Sequence, residues 1–289
     1  MLNPITFLKK PEYFFHPSQA LRRFRRIWHS PQEVETTRLP WGTPVTVRIA
    51  ENVGSDIFWY GVFDRIVPEA IWRLLDKGET GVDIGANIGQ NSSVMALRSG
   101  LSGWVIAFEP HPVTFAELQQ NVANWANLRM ARIQLENVAL GRENGEAQLV
   151  IRGYLSGASL AAQGEGVKVP VRQLDDFLKG MPVSVCKIDV EGHELAVLEG
   201  AAQALSRQAI RDVIFEDFNP MPSPVARLLQ KNGFSVYQLT SGWLKPSLAP
   251  VREGINHPKD FSYNYLATLA PQRARDRFRA PGWRCLMGC

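Results

Sequence analysis

Four short stretches of this 289-residue chain carry residue types able to bind a nucleotide-like ligand and to move a proton, and each closes an apolar run. The first is Gly81-Val82-Asp83-Ile84-Gly85-Ala86-Asn87-Ile88-Gly89, an apolar strand that ends in a glycine turn before a helix. Gly85 and Gly89 can take backbone angles closed to other residues, so such a turn is expected to lay N–H groups open to a ligand, with Asp83 and Asn87 on its rim. The second is Phe108-Glu109-Pro110, the third Asn137-Val138, and the fourth Lys187-Ile188-Asp189-Val190-Glu191-Gly192-His193-Glu194.

The elements that must position these groups alternate. Strands are expected over 81–84, 104–108, 133–138, 183–188 and 213–215, with helices over 90–98, 112–125 and 193–198, a pattern that makes an α/β fold with a parallel sheet covered on both faces. Residues 147–151 and 167–171 read as an inserted hairpin joined by a Gly/Ser-rich loop, 153–166. A helix at 225–231 and strands at 234–239 and 263–269 close the domain as a long hairpin. Ahead of the glycine turn, residues 1–40 read as a basic helical extension. Short strands over 43–49 and 56–60 and a helix over 69–76 would then form a cap beside the ligand. The expected division is an extension at 1–65, a catalytic domain at 66–270 and a flexible basic tail at 271–289.

In an open parallel sheet, ligands sit at the carboxyl ends of the strands, near the point where strand order reverses. Asp83, Glu109, Asn137 and Asp189 each stand at such an end, so one crevice can collect them. Glu109, closing the second strand, is placed to accept the hydroxyls of an adenosine ribose. Both NAD and S-adenosylmethionine would satisfy that. A dinucleotide fingerprint needs glycines at the first, third and sixth loop positions, and here Gly85, Asn87 and Gln90 fill them. The loop therefore favours a ligand without a pyrophosphate. An NAD-dependent oxidoreductase and a non-catalytic binding protein on the same scaffold stay open as alternatives.

With Leu174-Asp175 and Glu199-Gly200-Ala201 added, the order and spacing of these motifs over roughly residues 60–240 resemble the FkbM-type S-adenosylmethionine-dependent methyltransferases. The resemblance implies a class I methyltransferase fold: a Rossmann-like, doubly wound, seven-stranded sheet with its last strand antiparallel. It also implies O-methylation of a hydroxyl on a sugar, glycan or other small-molecule acceptor. By the match, Asp83, Gly85, Asn87 and Gly89 line the methionine side of the cofactor, with Ala86 and Pro110 beside them, while Asn137 and Val138 flank the adenine. The protein then has to orient the acceptor and deprotonate it, a general base contributing about 10²- to 10⁴-fold. The base is expected from Asp189 first, then His193, then Glu191. Lys187 is the candidate partner of Asp189, and Glu194 is expected to cap the helix it begins. No metal is expected, although Asp189, Glu191 and Glu216-Asp217 could supply ligands.

Nucleic acid is not an expected partner: the polar-Pro-Pro-aromatic motif of nucleobase amino-methylases is replaced after the fourth strand by Asp189-Val190-Glu191-Gly192, and Asn219-Pro220-Met221-Pro222 follows the next strand as a loop. Charge is uneven, +4 over residues 1–40, +4 over 270–289 and −4 between. The basic run Leu21-Arg22-Arg23-Phe24-Arg25-Arg26-Ile27-Trp28 fits a helix with one apolar face and suggests weak contact with an anionic membrane surface. No apolar run approaches the roughly 20 residues that span a bilayer, and a cytoplasmic location is the expectation. Cys186 should be a buried thiol, whereas Cys285 and Cys289 are expected in a disordered terminus.

Overall fold

The computed structural model describes residues 11–15, 31–152, 154–161, 166–251 and 263–288. Its first elements are helix α1 (Pro11–Phe15), a hairpin of β1 (Val34–Arg38) and β2 (Pro44–Arg48), and helices α2 (Asn52–Tyr60) and α3 (Ile66–Leu74). The alternating region follows as β3 (Thr80–Ile84), α4 (Gln90–Ser99), β4 (Trp104–Phe108), α5 (Pro112–Asn124) and β5 (Arg132–Glu136). A separate small sheet is inserted next, from β6 (Ala139–Leu140), β7 (Gly145–Arg152), β8 (Tyr154–Ala161) and β9 (Val167–Arg172). Alternation resumes with α6 (Asp175–Leu178), β10 (Val183–Ile188), α7 (Glu194–Glu199), α8 (Ala202–Ser206), β11 (Ile210–Glu216) and α9 (Pro224–Lys231). The chain closes with β12 (Ser235–Ser241), β13 (Pro246–Pro250), β14 (Asn264–Thr268), α10 (Pro271–Arg279) and α11 (Arg284–Met287).

The main sheet has the order β13-β12-β14-β11-β10-β3-β4-β5. Strands β3, β4, β5, β10 and β11 are parallel, and β14 lies antiparallel between β11 and β12. This is the expected doubly wound α/β sheet of seven strands with its last strand reversed. An eighth, β13, is added because the chain turns back at 242–245 and pairs antiparallel with β12. Strand periodicity divides the core in two. Val105, Val185, Ile214 and Leu266 point to α3, α4 and the C-terminal helices. Val82, Ile106, Cys186 and Val213 point to the opposite face, among residues of α7 to α9. Burial raises the Cys186 thiol above its ordinary value, leaving it an inert core residue.

Three expectations for the flanks are corrected. Residues 56–60 belong to a helix: Val53 and Ile57, one turn apart, are buried, Gly61 closes it in a left-handed conformation, and Gly54 crosses Arg48 so closely that a Cβ there would stand 2.2 Å from the Arg48 carbonyl oxygen. The Gly/Ser-rich stretch after Gly153 is mostly strand, since β8 pairs with β7 and widens the hairpin into a sheet. The tail at 271–289 is built into the fold, with Ala274, Phe278, Trp283, Cys285 and Leu286 buried. Its anchor is Arg73, wholly buried with Glu69. The guanidinium donates to Glu69 Oε1 at 2.6 Å and to the carbonyls of Arg277, Ala280 and Gly282, while Glu69 Oε2 accepts the Cys285 N–H at 2.7 Å. The divisions at 65 and 270 both fall inside one hydrophobic cluster that joins Leu39, Trp41, Ile71, Val94 and Trp283. The basic run at 21–28 and Cys289 lie outside the described residues.

Candidate active site

A cavity of about 340 Å³ opens at the carboxyl edge of the main sheet, within the range of small-molecule sites. Its floor is the turn after β3. Gly85 is required there by contact as much as by conformation: φ is +76° and a Cβ would lie 1.9 Å from the Asp189 carbonyl oxygen, so the turns after β3 and β10 touch through their backbones. Contrary to expectation, the turn does not lay its N–H groups open. Gly85 and Ala86 donate to the Phe108 carbonyl, Asn87 to Glu109 Oε2, Ile88 to the Asn87 side chain and Gly89 to Ala86. With its donors used internally, the turn offers close approach to its Cα surface and no cradle for a pyrophosphate.

Glu109 is buried at the second strand end, Oε2 receiving Asn87 N–H and Oε1 receiving His111 N–H, both at 2.9 Å. Burial raises its carboxyl to about 7, against the pull of those two donors and of Lys187. Gly85, Ala86, Asn87, Glu109, Pro110 and Val138 all line the cavity. Three other residues expected to line it stand behind the wall. Asp83 is buried under the turn, accepting the Ser92 hydroxyl at 2.6 Å with Lys187 Nζ 3.4 Å away. Gly89 caps α4 and faces α5, where a Cβ would meet Leu118 and Trp125 at 2.8 and 2.9 Å. Asn137 donates to the Glu109 and Pro110 carbonyls and so shapes the rim from outside.

At the other end of the cavity four carboxyl groups meet: Asp64, Asp189, Glu191 and Glu216. Oxygens of the last three lie within 4.8 Å of one another, so the trio could chelate a divalent cation. Asp217, the fourth ligand considered, turns Oδ1 onto Asn219 instead. Lys187 lies 3.5 Å from Asp189 and 3.4 Å from Asp83, and donates to the Gly85 carbonyl at 2.7 Å. Burial would lower its ammonium, but the two carboxylates outweigh that and hold it charged. Glu216 is pushed up to about 8, first by burial, then by Asp189, Glu191 and Asp64. Glu191, in a left-handed conformation at φ +52°, is raised by burial and by Asp189. His193 also lines the cavity and is lowered by burial, so it is neutral near pH 7. Glu194 accepts the Val190 and Gly192 N–H groups and ties the turn it follows, a structural role.

Sequence reasoning missed the part of the wall contributed from a distance. Gln90 exchanges two 2.8 Å hydrogen bonds with the Phe63 backbone, which holds Asp64 over the cavity. Asn264, from β14, donates to Asp64 at 2.7 Å. Leu149, Leu155 and Leu160 of the inserted sheet supply an apolar side, tied down where Leu155 N–H meets Glu51. The Leu174-Asp175 and Glu199-Gly200 motifs lie away from the cavity. Asp175 receives the Gln203 and Ala204 N–H groups, and a Cβ on Gly200 would stand 2.1 Å from the Gly141 carbonyl oxygen.

Comparison with known proteins agrees in kind. Residues 83–236 match the methyltransferase FkbM domain family. The chain is 29% identical over 195 residues to "Methyltransferase 1" of Beauveria bassiana, covering 58% of this chain and 76% of that one. It is 28% identical over 184 residues to the hexuronic acid methyltransferase AglP of Haloferax volcanii, covering 56% and 73%. Among solved structures it is similar to a SAM-dependent O-methyltransferase of Thermotoga maritima, with a TM-score of 0.43 and 16% identity over 84% of this chain and 80% of that one. No helix among the described residues is long and apolar enough to cross a membrane.

Proposed function

The chain belongs to the FkbM methyltransferase family, and from that premise we propose that it uses S-adenosylmethionine to methylate a hydroxyl group of a sugar, glycan or similar small molecule. The residues present fit that cofactor: a turn that admits close approach but cradles no phosphate, a buried carboxylate at the second strand end, and Pro110 and Val138 as an apolar edge. Asp83, Gly89 and Asn137 support this half from behind. S-adenosylmethionine supplies, when bound, a methyl group made electrophilic by its sulfonium.

The observation that carries the choice of a hydroxyl is the crowding of Asp64, Asp189, Glu191 and Glu216 at the other end of the cavity. A hydroxyl must lose a proton to attack, and Glu216, raised to about 8, is a carboxylate whose proton affinity suits that task near neutral pH. Asp189, expected as the leading base, stands 3.5 Å from Lys187 Nζ, and in this reading it orients the acceptor while Glu216 accepts the proton. Glu191, whose carboxyl lies within 4.8 Å of that of Glu216, offers a way out for that proton. A carboxylate acceptor would need no base and would be repelled by the same cluster, which separates this reading from methylation of a hexuronic acid at its carboxyl.

The test is calorimetric titration with S-adenosylmethionine, followed by incubation of the methyl-labelled cofactor with neutral sugars, glycans and uronic acids. One cofactor per chain and label held as an alkali-stable ether are the expected results. Label released by mild alkali, the mark of a methyl ester, would overturn the hydroxyl reading.

A further inference from the structure

A second feature of the same edge of the sheet plays no part in the chemistry above. Because β12 runs antiparallel to β14 and β14 antiparallel to β11, β12 points the same way as the parallel strands. The turn that follows it, Gly242-Trp243-Leu244-Lys245, therefore emerges on the cavity's side of the sheet. Trp243 and Leu244 are 43% and 60% exposed there. Phe14, 62% exposed, packs its ring 4.9 Å from that of Trp243, and Met287, 52% exposed, completes the patch. Gly282 is the junction: its N–H donates to the Leu244 carbonyl at 3.1 Å, and Phe15 and Met287 lie against it. Four large apolar side chains left open together exceed what scattered surface hydrophobes explain.

The surround decides what covers them. Lys245, whose ammonium donates to the Arg279 carbonyl, stands in the turn itself, and Arg279 and Arg284 flank Gly282, with Asp276 the sole acid in residues 270–289. We propose that this face docks on an anionic phospholipid surface. Trp243 and Leu244 enter the headgroup boundary while Lys245, Arg279 and Arg284 meet lipid phosphates. A tryptophan-bearing apolar turn beside three long cations, of which Arg279 is also paired with Asp276 at 2.9 Å, matches an interface that is apolar below and negative above. The face adjoins the cavity: Arg65 donates to Ser241 at 2.8 Å, and its neighbour Asp64 lines the cavity wall. Docking here leaves the active site beside the membrane, where an acceptor carried on a lipid would present its hydroxyls.

The full chain is sedimented with vesicles of phosphatidylcholine alone and of phosphatidylcholine with phosphatidylglycerol. Binding to the anionic vesicles is expected to exceed binding to neutral ones by about tenfold and to weaken as salt rises. It should be lost in Trp243→Ser/Leu244→Ser and weakened in Arg279→Gln/Arg284→Gln, with melting temperatures unchanged. Hydrogen exchange of residues 242–245 in the unmutated chain, slowed by anionic vesicles, gives the same answer without a substitution. Several results would overturn the proposal: no sedimentation; sedimentation abolished by Arg22, Arg23, Arg25 and Arg26→Ala but untouched by the turn variant; or a dimer in light scattering that the turn variant dissociates.

Discussion

On the Gly85–Glu109 side of the cavity the polar groups of the turn and of Glu109 are bonded to one another, whereas on the Asp64–Glu216 side four carboxyl groups crowd together and only Asp189 among them has Lys187, the one Lys or Arg lining the cavity among the described residues, beside it. The first side satisfies its own hydrogen bonds within the turn and the neighbouring strand end, braced by the Lys187–Gly85 contact. The second stores unfavourable like-charge contact, which an acceptor's hydroxyl and its proton relieve. On the function proposed above, the difference lets one fold keep a constant cofactor while acceptors change, with binding resting on backbone closure and reactivity on side chains from separate loops.

The largest break in that comparison is expected from Glu216→Gln. It should lower kcat by about 10²- to 10⁴-fold and leave S-adenosylmethionine affinity unchanged. In the unmutated enzyme kcat should rise with pH and level off above about 8, as Glu216 loses its proton, and the variant should lack that limb. An equal loss of cofactor binding would erase the division between the two sides. Next is Gly85→Ala, where the Cβ meets the Asp189 carbonyl in a left-handed backbone. A loss on the order of 3 kcal/mol in denaturant unfolding, together with loss of cofactor binding, is expected. Glu109→Gln should weaken cofactor binding by about tenfold, the usual scale for a charged hydrogen-bond acceptor. Because its folded carboxyl is raised to about 7, affinity in the unmutated protein should tighten as pH climbs from 6 to 8, and calorimetry in buffers of different ionisation heat should detect proton release. The smallest effect belongs to Leu155→Ala in the inserted sheet: a few-fold rise in the acceptor's KM with cofactor affinity and kcat held, measured by steady-state kinetics.

What the chain's order reveals follows the same line. Gly85, Glu109, Asp189 and the alternation of strands and helices are legible because each depends on a few neighbouring residues and a period. The reversed β14 was expected only through the family resemblance, and the strand order was not read from the sequence at all. Asp64 was not legible, since its position depends on Gln90, 27 residues beyond the neighbouring Phe63, and on Asn264, 200 residues on. Asp83 and Gly89 were legible as motif residues but not in their direction, because a strand-end side chain can face the ligand or the core and only packing against Lys187, Leu118 and Trp125 decides. The tail misled for a plain reason: Arg-rich sequence reads as solvated surface, and no local signal shows that the carbonyls of Arg277, Ala280 and Gly282 surround an arginine from α3.

That buried arginine sets a timetable. Glu69 and Arg73 leave the ribosome early, yet the backbone they hold is made 216 residues after Glu69, on the order of ten to forty seconds later at ordinary rates of synthesis. Until then helix α3 carries two charges on a face that has no cover. A nascent chain stalled before Gly282 should therefore stay open to protease across α3, however complete its cofactor turn already is.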